Sequence, residues 1–168
     1  MWCIGTLTEE CRQRMYKLLA LYRKPLRYDE PVVCIHEKSP QLIGHSREPL
    51  PMAAGNASKQ DYEYVRLGTT NLFVAVDPKG GKRVVCVTEH RGKTDFVGFV
   101  QSLLTDTYAA ARRVHIVLNN RNTHFRKFFY DVLGKRAAGA LLRRVTFHST
   151  PKHASWLNMA AIKMKSAS

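Results

Sequence analysis

Five short apolar runs, and the unequal lengths of chain between them, constrain this sequence more than any other feature. Pro31–His36, Asn71–Val76, Arg83–Thr88, Arg113–Leu118 and Arg143–His148 are rich in β-branched, aromatic and other apolar residues and bounded by polar or turn-forming ones, the pattern of buried strands. The turn Asp77-Pro78-Lys79-Gly80-Gly81-Lys82 alone separates the second run from the third, so those two read as a hairpin. The fourth and fifth are reached through helical periodicity: Phe96, Val97, Val100, Leu103 and Leu104 before the fourth, Phe125, Phe128, Phe129 and Val132 before the fifth. Hairpin partners lie antiparallel, and a strand reached through a helix tends to lie parallel to its neighbour. The order predicts an α/β protein with a mixed five-stranded sheet, three antiparallel strands then two parallel ones, flanked by helices.

Local signals fill in the rest. Thr6 and Glu9 form a capping-box pattern ahead of Leu7, Cys11, Met15, Leu18, Leu19 and Tyr22, and Pro25 ends that first amphipathic helix. Thr94 is the expected cap of the helix over residues 93–106. Gly134 suits the end of a helix over His124–Leu133, with a further turn over Ala137–Leu142. Ser155 is the expected cap of a last helix. Residues 40–61, rich in Pro, Gly, Ser and Asn, read as a long loop. At 168 residues the chain makes one domain with a proper core. The ribonuclease H-like fold has this order of elements.

Charge narrows the partner. Twenty-seven Lys and Arg against 13 Asp and Glu give a formal +14, which points to a polyanion, nucleic acid ahead of an anionic membrane surface. The four cysteines have no C-x-x-C spacing, and Cys34 and Cys86 sit within apolar runs, so a reducing compartment is expected. No apolar window approaches the roughly 18 residues of a membrane span.

Four segments carry a family resemblance. Val32-Val33-Cys34-Ile35 followed by Glu37-Lys38-Ser39, Asn71–Val76, Val117-Leu118 with Asn120, Asn122, Thr123, His124 and Phe125, and Thr150–Met159 resemble bacterial insertion-sequence transposases related to the mariner elements, of the DDE superfamily. The resemblance implies a ribonuclease H-like DDE domain over residues 26–168 behind a linker helix over 1–25, a bacterial cytoplasmic, nucleoid-associated setting, and DNA as partner. It also implies DNA cleavage and strand transfer with Mg²⁺ or Mn²⁺ held by Asp, Asp and Glu. The matching positions here are His36, Asn119 and Ala161. With all three acids replaced, no metal site, no cofactor and no catalysis are expected, since paired hard cations need anionic oxygens. The resemblance further implies a C-terminal helix shortened beyond Ala161 and a missing DNA-reading helix-turn-helix.

Neither of two rescues is favoured. Glu37 neighbours His36 on a strand and so faces the other way, which leaves relocation of the acids to Glu37, Asp77 or Asp131 unfavoured. A zinc site from His36 and His124 with His148 or His153 has no matching metal spacing. Residual function is expected from Arg121, Arg126, Lys127, Lys152, His153, Lys163 and Lys165 as contacts to DNA phosphate, with Arg112, Arg113, Arg143 and Arg144 on the opposite edge. Trp156, Leu157 and Met159 are expected to pack the last helix on the sheet. The alternative is an interaction subunit that pairs with, and damps, an intact transposase; a homo-oligomer also fits.

Overall fold

The computed structural model describes residues 8–59, 61–119, 125–152 and 154–165. Its elements run α1 (Glu9–Arg23), β1 (Val32–Lys38), β2 (Gln41–His45), β3 (Tyr64–Thr69), β4 (Asn71–Val76), β5 (Arg83–Thr88), α2 (Lys93–Ser102), β6 (Val114–Leu118), α3 (Phe125–Leu142), β7 (Val145–Ser149) and α4 (Met159–Lys165). The main sheet has the order β5-β4-β1-β6-β7, with β5, β4 and β1 antiparallel and β1, β6 and β7 parallel. It is the ribonuclease H-like arrangement expected from the run order.

Strand register divides the sheet into two unlike faces, because alternate residues point to opposite sides. One face presents Val33, Ile35, Phe73, Ala75, Val114, Ile116, Leu118 and Val145 to α2 and α3. There Phe73 stacks on Phe99 at 5.6 Å between ring centroids, and Phe129 meets Phe96 edge-on at 6.1 Å. The other face carries Cys34, Val76 and Val117 under Leu18 and Leu21 of α1, Leu157 just before α4 and Ala160 of α4.

Several expectations shift. Thr8 is the N-cap of α1, its hydroxyl accepting from the Cys11 amide at 3.3 Å, while Thr6 and Leu7 lie outside the described residues. Leu21, absent from the expected apolar stripe, is buried, and Leu19 is exposed. Gly92 caps α2, with its amide donating to the Asp95 carboxylate at 2.8 Å, so Thr94 lies within the first turn. α2 closes through a π-helical turn over Leu103–Thr107. Gly134 sits at φ 75° and ψ 168°, open to glycine alone, and divides α3 into the two helical pieces expected. The segment read as a loop contains β2, which pairs antiparallel with β3 across a bulge at Leu42/Ile43 as a separate ribbon. Most of that ribbon is exposed on both sides, so it lacks the alternation that betrays a half-buried strand.

Candidate functional site

β1 and β6 run parallel side by side, which brings His36, near the end of one, beside Asn119, just past the end of the other. The Asn119 amide nitrogen lies 3.1 Å from His36 Nδ1. α4 packs over β1 and β4 and contributes Ala161, which is buried. The structure therefore puts His36 and Asn119 in hydrogen-bond contact, with Ala161 on the helix that covers their face of the sheet.

Asn158 organises the cluster, and nothing in the sequence reading gave it a role. Fully buried, it donates from Nδ2 to the Ile35 carbonyl at 2.8 Å and to Asn119 Oδ1 at 3.1 Å. Its Oδ1 accepts from the Ala160 amide at 3.1 Å and so caps α4, the place expected for Ser155. The two backbone contacts fix which end of the Asn158 amide is oxygen. Asn119 must then present oxygen to Asn158 and nitrogen to His36. His36 Nδ1 must accept, which places the ring proton on Nε2 and leaves the imidazole neutral. The signal for Asn158 was available: an Asn directly before an apolar helical stretch is a cap pattern.

The acids of the rescue reading are engaged elsewhere. Glu37 pairs with Arg91 at 2.8 Å, as a strand-neighbour facing away from His36 should. Asp131 pairs with Lys93 at 3.1 Å. Asp77 is buried and accepts from the Lys79 and Gly80 amides across the β4–β5 turn. Among the described residues no three His, Cys, Asp or Glu side chains gather as metal ligands. Paired Mg²⁺ or Mn²⁺ does not fit this donor set. It offers one imidazole, one amide oxygen already hydrogen-bonded to Asn158, and a methyl group, whereas hard cations take several oxygens, preferably charged.

A second polar cluster lies on the same face, between the start of β6 and the later part of β7. His115 Nδ1 and His148 Nε2 are 3.0 Å apart, so one ring donates to the other. Burial, with His115 and Lys24 nearby, pushes the His148 pKa down to about 4. Burial and Lys24 also lower that of His115. His148 is thus partnered away from His36; His124 and His153, the other members of the zinc reading, lie outside the described residues.

Of the expected DNA contacts, Arg126, Lys127, Lys152 and Lys163 are exposed on α3, the approach to α4 and α4 itself. Arg121 and the Lys165 side chain lie outside the described residues, as does His153. The opposite-edge arginines are partly structural. Arg112 pairs with Glu30, and Arg144 donates to the carbonyls of Leu104, Tyr108, Ala109 and Ala111. Leu157 packs as expected, but Trp156 is 59% exposed and Met159 partly so. The reason is that the chain makes a 3₁₀ turn over Ser155–Leu157 before α4 begins.

No curated protein matches the sequence. Among solved structures, the Mos1 mariner paired end complex with Mn aligns with a TM-score of 0.52 at 15% identity, over 99% of this chain and 51% of that one. A pre-cleavage Mos1 transpososome aligns at 0.47 and 17% identity, over 99% and 52%. The chain spans about half the length of these Mos1 chains, and at such identities the likeness of the first is one of fold. A family model described as DDE superfamily endonuclease matches residues 31–166, nearly the whole sheet and its helices. On that match, this chain belongs to the DDE superfamily endonucleases.

Proposed function

We propose that this is a transposase catalytic domain, of bacterial insertion-sequence type, in which His36, Asn119 and Ala161 stand at the three acid positions. On this reading it has lost metal-dependent cleavage and strand transfer and keeps non-specific DNA binding. Residues 1–25 serve as the linker to the domain over 26–168, with α1 packed on its sheet. The observation that carries the reading is the neutral chain His36–Asn119–Asn158, in which each polar atom that faces another is already hydrogen-bonded. Loss of three carboxylates removes about three unit charges, each worth about 4 kcal/mol to a charge 4 Å away at an effective dielectric of 20.

DNA binding rests on the +14 charge and on exposed Arg126, Lys127, Lys152 and Lys163. Its affinity falls steeply as salt rises, through counterion release. Supercoiled plasmid incubated with the protein and Mg²⁺ or Mn²⁺ stays intact; nicking that follows the protein through purification and vanishes in N119A overturns the reading. An anisotropy titration at low salt tests binding, and a flat curve refutes it.

The ribbon of β2 and β3 supports a second reading, a subunit that pairs with an intact relative. Leu42, Ile43, Val65 and Leu67 are exposed on its two sides, apolar surface that a partner subunit would cover. Co-purification with an active relative, lost on I43K and L67K, distinguishes the two.

A further inference from the structure

At the end of the sheet remote from His36 and Asn119, a cleft of about 250 Å³ opens between the end of α1, the segment 24–32 and the β4–β5 turn. Its apolar wall includes Pro25, Leu26, Pro31 and Val32, and its polar groups are Lys24, Arg27, Lys79, Glu30 and His115. We infer that this cleft binds a nucleoside 5′-phosphate, either free or as the end of a DNA strand. The phosphate sits between Lys24 and Lys79, and the sugar and base lie on the proline-lined wall.

Charge distribution supports this placement. The acid of the cleft, Glu30, is held by Arg112 and Arg27, and Arg27 also pairs with Asp29. Lys24 and Lys79 have no ion-pair partner among the described residues, so two ammonium groups face the cleft uncompensated. α1 ends here, and the carbonyls of a helix C-terminus disfavour an anion. One lysine would leave only about half a positive charge after the dipole, and two leave a clear surplus for an anion.

The walls are built before any ligand arrives, which limits the ordering cost of binding. Asp77 holds the turn that carries Lys79 through the Lys79 and Gly80 amides. The Lys24 amide closes onto the Leu21 carbonyl, and the Arg113 and His115 amides stitch β6 to Asp29 and Pro31. The volume exceeds what a bare phosphate needs, and the apolar wall gives the remainder a reason to be filled by a nucleoside.

The test uses the whole chain and calorimetric titration with dAMP, deoxyadenosine, inorganic phosphate, and a short single strand with or without a 5′-phosphate. Wild type is expected to bind dAMP at least tenfold more tightly than deoxyadenosine or phosphate alone. K24Q/K79Q, at two exposed positions that leave the core untouched, is expected to weaken dAMP at least tenfold. If the phosphorylated strand gains over its unphosphorylated twin and loses that gain in the variant, the strand end is the source. If only dAMP responds, the free nucleotide is the source. Equal affinity for phosphate alone overturns the nucleoside part, and dAMP binding that is absent or unchanged in K24Q/K79Q overturns the site. Duplex binding measured on the same variant separates this outcome from the DNA-binding reading, which rests on α3 and α4.

Discussion

The two faces of the sheet solve different problems. The face under α2 and α3 is filled by aromatic and branched side chains, with Phe99, Phe73, Phe96 and Phe129 linked ring to ring in that order. The face under α1 and α4 has an apolar centre, Cys34, Val76 and Val117, with one polar cluster at the carboxyl ends of β1 and β6 and another between β6 and β7. In both clusters a histidine is held neutral, by an amide in the first and by burial, with His115 and Lys24 nearby, in the second. The difference teaches that the larger core and the polar site lie on opposite sides of one sheet: the aromatic face holds the bigger apolar cluster, and the other face holds both polar clusters.

Perturbations of the two faces should then differ in kind as well as in size. F129A, on the aromatic face, is expected to cost about 4 kcal/mol in denaturant unfolding, the usual loss for a fully buried phenylalanine. Where it remains folded, the ¹⁵N pattern of an Nε2–H tautomer at His36 should be unchanged. N158A should cost about 3 kcal/mol, because the Ile35 carbonyl, the Ala160 amide and Asn119 Oδ1 all lose their partner. Unlike F129A, it should disturb the His36 tautomer, and a normal tautomer in N158A would break the proposed link between them.

The pH dependence sharpens the other cluster. His148 has a folded pKa of about 4 against an ordinary 6.5, so the unfolded chain binds its proton first as pH falls. Its contribution is complete above pH 6.5 and is lost progressively as pH drops through 6.5 towards 4. After allowance for partial exposure the loss is about 2 kcal/mol. H148Q should flatten the stability curve over that window, and an unchanged curve would show that the histidine pair is not what titrates. A similar loss, about 2 kcal/mol, is expected of G134A, whose φ and ψ at the break in α3 admit glycine alone. It belongs to neither cluster and should leave both histidine signatures alone.

Much of this was legible in the residues. The strand order followed from one tight turn and two helical intervals, since connection length and type restrict how strands pair. His36 and Asn119 were singled out by the family resemblance, and the parallel pairing of β1 and β6 is what brings them together. Less visible were features set by single side chains reaching across the chain. Asn158 joins Ile35, more than a hundred residues away, and no periodicity reports such a contact. Arg144 looked like surface charge on an edge but is tied to four carbonyls of the turn after α2. The β2–β3 ribbon escaped because a strand exposed on both sides has no burial pattern to betray it.

Calorimetric or paramagnetic titration of the wild-type protein with Mn²⁺ tests the central claim most directly. A cluster of imidazole, amide and methyl groups should show no saturable site up to millimolar metal, whereas H36D/N119D/A161E should gain one. Stoichiometric Mn²⁺ binding by the wild type, abolished by N119A, would contradict the account.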